Sequence, residues 1–409
     1  MVEPLEKLAE VLREVGVGLP TPGMNPGATS EMGGGITEST SSRDVILHMD
    51  NLQAMASLPD ASIDFIYLDP PFASDATYWH EIHLPGHTIR QLAYSDSWPD
   101  GLGSYLAFLV PRLAATRRIL KPTGSICVHL DSHSSHYVKI ALDTIFGAEN
   151  LINEVIWRYG KMSNTKRRFP QNHDTLLLYG ATPDWYFSPI HNAPSEYRTR
   201  FLRDLTDNRV LYGSVKHRSD KLITRRIAAK SRDLGRELRD DDVLWDFDTE
   251  RKVQDDVFTD ISIVRGNARE GTGYDTQKPQ KLLERLITAF CPEGGAVADF
   301  FCGSGTTGAA ASTLGRPFVL TDINLPAIQV SRLRLPQAAF DRDPALTPPS
   351  FLVDTTGAIS DFRLDDLGLG AKDKAVVAQL LVSDPQSLIA GHIGETVIDV
   401  FGREATRPR

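Results

Sequence analysis

The chain of 409 residues contains little cysteine, no long apolar run and an excess of negative charge. Its three cysteines, at positions 127, 291 and 302, form no C-x-x-C pair, so neither a disulfide framework nor a cysteine-based zinc site is predicted. No apolar run approaches the roughly 18 residues of a membrane span, and the charged N-terminus lacks the apolar core of a secretory signal. We therefore expect a protein of the reducing cytoplasm with no membrane partner.

The acidic excess conceals a basic segment. With 44 Lys+Arg against 53 Asp+Glu, the formal net charge is -9, which by itself argues against a nucleic-acid partner. Residues 158–239, however, hold 18 basic and 8 acidic side chains, a local charge of +10, so the rest of the chain sums to -19. This distribution is typical of a protein that approaches a polyanion by one side.

Cations and aromatic side chains are mixed within this segment. The candidates for phosphate contacts and base recognition are Lys166, Arg167, Arg168, Arg198, Arg200 and Arg203, which lie near Phe169, Tyr197 and Phe201. For any single cation, a solvated surface or an ion pair within the protein is the alternative. The density of cations favours DNA binding for the segment as a whole.

Short apolar runs alternate with helical patterns on both sides of this segment. The strand-like runs are 45–49, 64–68, 125–130, 296–300 and 318–322, and the helical patterns are 3–15, 105–120, 136–146, 281–290, 306–314 and 324–335. This alternation predicts an α/β domain with a parallel sheet covered on both faces. The expected domain halves are 43–159 and 271–339, with an insertion at 160–270, an N-terminal helix and flexible linker at 1–42, and a C-terminal extension of unassigned role at 340–409.

A glycine-containing loop, DFFCGSGTT at 299–307, follows an apolar strand and precedes a small-residue helix. Gly303 and Gly305 allow a sharp turn and a close approach of the backbone to a ligand. Asp322 ends the next strand, where a carboxylate can accept hydrogen bonds from ribose hydroxyls. Asp299 suits a cationic amino-acid group better than a pyrophosphate, which argues against NAD. A turn that binds nothing is the alternative.

A second motif, Asp-Pro-Pro-Phe at 69–72, follows the strand at 64–68. The two prolines fix the backbone and leave the Asp69 carboxylate and the Pro70 carbonyl as rigid acceptors. Two converging acceptors match the two N–H donors of an exocyclic amine, and Phe72 supplies a face for stacking on the ring that carries it. The alternative is a rigid turn at the end of a strand.

On these motifs the chain resembles the S-adenosylmethionine-dependent amino-methyltransferases of DNA, in the group with permuted order, where Asp-Pro-Pro-Phe precedes the cofactor loop. TQKP at 276–279 also matches, and the resemblance covers about 43–180 and 271–335. Phe300 departs from the family, which usually has proline there. The resemblance implies a Rossmann-like, seven-stranded sheet with a target-recognition insertion. Asp at position 69 implies N6-adenine, whereas a serine there is commoner for N4-cytosine.

The resemblance also implies roles for single residues. Asp69 and Pro70 bind the target amine, Pro71 holds the turn and Phe72 stacks on the base. The residues that it assigns to S-adenosylmethionine are Asp50, Lys278, Pro279, Asp299, Phe301, Gly303, Gly305, Thr306, Thr307 and Asp322. Within this set, Asp299 lies near the α-amino group, Asp322 holds the ribose and Asp50 contacts the adenine. For Asp50, a helix N-cap is nearly as good an interpretation.

The expected partner is double-stranded DNA, whose target base must flip out of the stack, so the protein would be associated with the nucleoid. A homodimer and a cognate restriction enzyme are compatible with the resemblance. The chemistry needs no metal, and we expect surface or loop positions for two histidine sets, His80, His83, His87 and His129, His133, His136. Without a Pro-Cys step, cytosine C5 chemistry is rejected. N4-cytosine or RNA adenine methylation and a non-catalytic DNA-binding subunit are the alternatives.

Overall fold

The computed structural model divides the chain into two compact units. The larger unit comprises Met1–Ser188 and Asp256–Arg409, and the smaller comprises Pro189–Asp255. The structure describes residues 3–14, 44–84, 86–161, 165–191, 201–247, 253–265, 268–343, 351–353, 359–360, 369, 371–383, 389–393, 396–399 and 404–406. No helix among these residues is long and apolar enough to cross a membrane.

The larger unit contains most of the secondary structure. Its helices are α1 (Glu3–Glu14), α2 (Asn51–Ser57), α3 (Leu102–Ile119), α4 (Ser135–Phe146), α7 (Gln280–Phe290), α8 (Thr306–Thr313), α9 (Leu325–Arg334) and α10 (Ala371–Ser383). Its strands up to residue 342 are β1 (Val45–His48), β2 (Ile63–Leu68), β3 (Thr77–Leu84), β4 (His87–Ser95), β5 (Leu120–Leu130), β6 (Leu151–Arg158), β7 (His173–Gly180), β11 (Val257–Phe258), β12 (Val297–Asp299), β13 (Phe318–Asp322) and β14 (Ala339–Arg342). All the strands and helices that the sequence predicts are present, with ends shifted by a few residues.

One large sheet organises this unit. Its strand order is β11-β6-β7-β5-β2-β12-β13-β1-β14, and every neighbouring pair is parallel except the two that β7 makes with β6 and β5. The predicted α/β class is therefore confirmed. The sheet has nine strands instead of the expected seven, because the short strands β11 and β14 extend its two edges.

Apolar side chains on both faces explain why the strands lie in the middle of the domain. All six residues of β2 are buried, as expected for a strand covered on both faces. On one face, side chains of α1 to α4 join the sheet in a single apolar cluster. On the other, Phe290 of α7 stacks against Phe65 of β2 with 6.2 Å between ring centroids. The sheet is thus held from both sides, and its strand ends are fixed in place.

Strand β7 lies inside the segment that the sequence assigns to an insertion at 160–270. Its run TLLLY is buried and pairs with β5 and β6, for example Leu176 with His129 and with Val155. The compact separate unit is therefore shorter than the expected insertion and begins only at Pro189. An apolar strand of this kind is stable only when it is paired and covered, which explains why it belongs to the sheet.

The smaller unit has its own apolar core. It contains β8 (Leu205–Thr206), β9 (Arg209–Leu211), β10 (Val243–Asp246), α5 (Tyr212–Val215) and α6 (Lys221–Leu234). The three strands form one sheet, and Phe201 stacks on Trp245 at 4.8 Å between centroids. Buried Val210, Ile223 and Leu244 complete the core, as a separately folding unit requires.

The C-terminal extension contains a second sheet in the larger unit. Its strands are β15 (Phe351–Val353), β16 (Ile359–Ser360), β17 (Ile389–Ile393), β18 (Thr396–Asp399) and β19 (Glu404–Thr406), in the order β16-β15-β19-β18-β17. The apolar run at 375–382, to which the sequence gives no role, lies in α10.

Helix α1 belongs to the core of the larger unit, because Leu8, Val11 and Leu12 are buried in the cluster that covers the sheet. We predict that Leu8→Ala destabilises the protein by about 2–4 kcal/mol through lost burial and a residual cavity. Thermal unfolding of the full chain measures this. Glu10→Ala, on the exposed side of α1, is the control and should change stability by less than about 0.5 kcal/mol. Equal melting temperatures for the two variants would contradict the packing.

Candidate functional site

Two loops meet at the carboxyl ends of β2 and β12. These strands are neighbours and run parallel, with Ala298 opposite Ile66. Asp69 therefore follows one strand next to the place where Asp299 ends the other. In open parallel sheets, ligands bind in the crevice outside such strand ends. The pairing thus joins the two sequence motifs into one candidate site.

The glycine loop has the geometry that its sequence predicts. Gly303 and Gly305 both have positive φ, of 50° and 72°. A Cβ atom on Gly305 would lie 2.6 Å from the Ser331 hydroxyl oxygen, so a larger residue does not fit there. The Asp322 carboxylate accepts a hydrogen bond from the Gly303 N–H at 3.0 Å. The end of β13 therefore fixes the loop as well as lining the site.

Asp299 is a buried carboxyl group at the bottom of this loop. It accepts hydrogen bonds from the Phe301 N–H at 3.0 Å and from the Thr307 hydroxyl at 2.5 Å. Burial raises its pKa to about 7, and these two hydrogen bonds only partly oppose that rise. Burial also raises the pKa of Asp322. A cationic ligand would stabilise the ionised form of both groups.

The loops enclose a first cavity of about 580 Å³. The residues expected at the cofactor that line it are Asp50, Lys278, Asp299, Phe301, Gly303, Thr306, Thr307 and Asp322, together with Asp69 and Pro71. Two expected cofactor residues do not line it. Pro279 is the N-cap residue of α7, and Gly305 is the N-cap residue of α8. Their positions show roles in shaping the loops.

Asp50 caps a helix at the rim of the first cavity. Its Oδ1 accepts a hydrogen bond from the Leu52 N–H at 2.8 Å, so the N-cap interpretation is correct. Its Oδ2 accepts a hydrogen bond from Arg112 at 2.9 Å, and the Arg112 guanidinium lies 3.7 Å from the centre of the Phe108 ring. Arg112 was not among the residues that the sequence motifs predicted at the site. Burial lowers the pKa of Arg112.

A second cavity of about 870 Å³ has Phe72 among its lining residues, whereas the first cavity does not. Aromatic and polar side chains line it, among them Phe72, Trp157, Tyr159, Asp131, Asp174 and Lys278. Its volume is within the range of small-molecule sites, and the Phe72 side chain is part of its wall. Lys278 borders both cavities.

A buried hydrogen-bond network supports Phe72 from behind. The His129 ring stacks on Phe72 with 6.1 Å between centroids and bonds to Tyr67 at 2.7 Å and to Asp174 at 3.0 Å. Tyr159 donates a hydrogen bond to the same Asp174 at 2.9 Å. Burial alone would raise the pKa of Asp174, but the hydrogen bonds and charge around it hold that pKa below its usual value. The ring of Phe72 therefore has a rigid, polar support.

Asp96 holds the loop that follows the Asp-Pro-Pro-Phe motif. Its buried carboxylate accepts hydrogen bonds from the N–H groups of Phe72 at 3.0 Å, Ala73 at 3.1 Å and Ser74 at 2.9 Å. The indole N–H of Trp98 donates a further bond at 2.9 Å. Ala73 has a positive φ of 58°, a conformation that these bonds stabilise. Nothing in the sequence pattern around position 96 indicated this function.

Lys278 contacts the motif expected to bind the base. Its ammonium nitrogen lies 2.5 Å from Asp69 Oδ2 and 5.1 Å from the centre of the Phe72 ring. Asp69 Oδ1 is buried and has no hydrogen-bond partner among the described residues. Lys278 thus belongs to the junction of the two cavities, in addition to lining the one expected to hold the cofactor.

The expected DNA-binding cations differ in their surroundings. Lys166, Arg167 and Arg168 are exposed, next to a Phe169 side chain that is 94% exposed. Arg203 is exposed in the smaller unit, whereas Arg198 and Arg200 lie outside the described residues. Four other cations of the basic segment form ion pairs at 2.6–2.9 Å, namely Arg209 with Asp246, Lys216 with Asp240, Arg218 with Asp204 and Arg236 with Asp242. The smaller unit as a whole, Pro189–Asp255, has 15 basic and 13 acidic residues, a net charge of only +2, because seven of its acidic residues follow residue 239 and the basic turn at 166–168 lies outside it.

The expectation of surface positions for the histidines is wrong for two of them. His80 and His129 are buried, because both point inward from strands. His83, His87, His133 and His136 are exposed. In the part of the chain that the structure describes, no group of three or more His, Cys, Asp or Glu side chains could hold a metal ion.

Several known proteins are similar to this chain. A type II methyltransferase, M.KpnI of Klebsiella pneumoniae, is 34% identical over 131 residues, which are 32% of this chain and 30% of that protein. The match therefore spans less than a third of that relative. Among solved structures, the PvuII DNA methyltransferase (cytosine-N4-specific) is 15% identical with a TM-score of 0.46, covering 72% of this chain and 87% of its own. M1.HpyAVI in complex with SAM is 17% identical with a TM-score of 0.41, covering 71% and 98%.

The family comparison covers both motifs and the sheet that joins them. The model of the N6/N4 DNA methylases matches residues 63–332, about two thirds of the chain. This range includes the Asp-Pro-Pro-Phe turn, the smaller unit and the glycine loop. The chain therefore belongs to the N6/N4 family of DNA methylases.

Proposed function

We propose that this protein transfers a methyl group from S-adenosylmethionine to the N6 amino group of adenine in double-stranded DNA. The proposal rests on one observation: the Asp69 carboxylate and the Phe72 ring both lie against the ammonium nitrogen of Lys278, at the junction of the two cavities. An acceptor and an aromatic face around one nitrogen are what an exocyclic amine on a flat ring requires.

The residues of the first cavity fit S-adenosylmethionine. The buried Asp299 carboxyl, with its raised pKa, suits the α-ammonium group, and Asp322 is placed for the ribose hydroxyls. Phe301 and the Gly303 turn would contact the methionine end, with Asp50 at the adenine end. When bound, the cofactor supplies an electrophilic methyl group on a sulfonium.

The protein contributes positioning and electrostatics. The Asp69 carboxylate and the Pro70 carbonyl would accept hydrogen bonds from the two N–H groups of the target amine. These bonds would direct the nitrogen lone pair towards the first cavity. Phe72, supported by His129, fixes the plane of the base. If this nitrogen received the methyl group, the amine would become cationic beside Asp69, and the Asp69 carboxylate would accept the proton that it then loses. No covalent enzyme intermediate is required.

Two features support adenine over cytosine. The acceptor at position 69 is a carboxylate, which the family resemblance associates with N6-adenine. The second cavity, of about 870 Å³, has room for a purine. N4-cytosine methylation uses the same scaffold and is the competing assignment. The nature of the methylated nucleoside decides between them.

DNA contacts are proposed for the exposed basic turn at 166–168 and for the smaller unit. The turn connects β6 to β7, and both strands contribute residues to the second cavity, including Trp157 and Asp174. The cations of the turn at 166–168 would bind phosphates near a flipped base. The exposed Phe169 ring offers a face for base stacking. The smaller unit, with exposed Arg203, would recognise the target sequence.

The first prediction identifies the product. Wild-type protein incubated with DNA and S-adenosylmethionine should yield N6-methyladenine on digestion to nucleosides and mass spectrometry. Asp69→Ala should reduce transfer by at least about 100-fold, because the amine loses its main acceptor, while calorimetric binding of S-adenosylmethionine stays within about twofold. Finding N4-methylcytosine would assign the competing function, and full activity of Asp69→Ala would refute the mechanism.

The second prediction concerns pH. In the free protein Asp299 binds a proton below about pH 7, and a bound ammonium group favours its ionised form. Affinity for S-adenosylmethionine should therefore weaken as the pH falls from 7.5 to 5.5, by up to about tenfold per unit below the pKa. Isothermal titration at several pH values measures this. Asp299→Asn should bind S-adenosylmethionine more weakly, and its affinity should not change with pH. A wild-type affinity that is independent of pH would exclude Asp299 as the partner of the α-ammonium group.

The third prediction tests the exposed turn. Replacing Lys166, Arg167 and Arg168 together by alanine should weaken DNA binding and reduce the slope of log K against log salt by up to about 2–3, since each phosphate contact contributes about 0.9. Fluorescence anisotropy at several salt concentrations measures both. The matched control replaces Arg209, Lys216 and Arg236, which already have carboxylate partners. An unchanged slope in the first variant, or an equal loss in the control, would contradict the assignment.

A further inference from the structure

We propose that the Lys278 ammonium group holds the place of the target amine in the base-free enzyme and must leave Asp69 and Phe72 before the base can bind. Lys278 would then be a positioning residue that controls base capture. This inference rests on the proposed assignment of Asp69 and Phe72 to the target base.

The geometry makes the two occupants mutually exclusive. Lys278 Nζ is 2.5 Å from Asp69 Oδ2, within hydrogen-bond distance, and 5.1 Å from the centroid of Phe72. One cation therefore uses both the acceptor and the aromatic face that a base would need. A base amine at Asp69 Oδ2 would occupy the volume of the ammonium group. The contacts cannot be made by both at once.

The energetics explain why a cation fills this position. Asp69 and Lys278 have side-chain exposures of only 17% and 10%, and an unpaired charge at such a depth is costly. Lys278 neutralises Asp69 while the second cavity contains no base. When the base enters, Asp69 gains neutral N–H donors, and the ammonium group regains solvation by moving into the open cavity that it borders.

The backbone next to Lys278 is held in place by hydrogen bonds, although it adopts an unusual conformation. Thr276 has a positive φ of 68°, unusual for a β-branched residue, and Gly273 has a φ of 76°. The Gln277 side chain bridges this loop, accepting from the Thr272 N–H at 2.9 Å and donating to the Glu270 carbonyl at 2.6 Å. Side-chain rotation of Lys278 can therefore occur on a loop that is itself fixed.

The consequence is a reduced apparent affinity for DNA that carries the target base. If the displaced state of Lys278 has a population of about 10–30%, the affinity of the base step falls about 3- to 10-fold. DNA with an abasic target position does not use this step and avoids the loss. Removing the Lys278 ammonium group should therefore tighten binding of DNA that carries the target base and leave binding of abasic DNA unchanged.

The experiment first maps the methylated position in DNA from cells that express the chain. Two duplexes are then prepared, one with the target base and one with an abasic site there, and their Kd values are measured with S-adenosylhomocysteine present. For Lys278→Met, the Kd for the target duplex should fall about 3- to 10-fold and that for the abasic duplex should stay constant. Lys278→Arg keeps the cation and should preserve the wild-type ratio of the Kd for the target duplex to the Kd for the abasic duplex.

The controls separate this inference from its alternatives. Lys121→Met removes a different lysine–carboxylate pair, 2.7 Å from Asp64 at the opposite end of the strands, and should leave the ratio unchanged. Equal changes for both duplexes in Lys278→Met would show a general structural effect and overturn the inference. Weaker binding of the target duplex would show that Lys278 attracts the base, which also overturns it. If wild-type protein methylates no DNA, the proposed function itself fails.

Discussion

The parallel pairing of β2 with β12 is the contact on which the active site depends. The two strands are more than 200 residues apart in the chain, yet Val297 and Ala298 lie opposite Phe65 and Ile66. Each strand is followed by one of the two motifs, so their pairing determines the distance between the Asp-Pro-Pro-Phe turn and the glycine loop. The covering helices stabilise this register, because a slip by one residue would move every side chain of β2 to the opposite buried face, where different side chains pack.

This arrangement collects carboxyl groups at one edge of the sheet. Asp69, Asp299 and Asp322 all follow or end neighbouring strands, and Asp69 and Asp322 each add to the raised pKa of Asp299. Such a concentration of acid in a buried site requires cations. Lys278 supplies one in the protein alone, and a sulfonium cofactor with an α-ammonium group would supply two more. Under the proposed function, the negative charge of these carboxylates would influence both the affinity for the cofactor and the binding of the base.

The sequence predicts the parts of this site that are local and misses those that depend on distant contacts. Strand periodicity and the glycine and proline motifs correctly indicated the sheet and the two loops, since each is determined by neighbouring residues. Asp96 and Arg112 were missed because their partners, the loop at 72–74 and Asp50, lie far away in the sequence. The same reason explains the buried His129, which a spacing pattern alone placed at the surface.

The basic segment shows why charge density is a poor guide to a DNA-binding surface. Counted over 158–239 it has a charge of +10, but the acids at 240, 242 and 246 pair with its cations, and the smaller unit is nearly neutral. A paired arginine has already lost much of its attraction for a phosphate, because the carboxylate competes for it. The exposed cations at 166–168 lie in the larger unit, on the turn between β6 and β7. Under the proposed function, long-range attraction to DNA would therefore arise more from the turn at 166–168 than from the smaller unit.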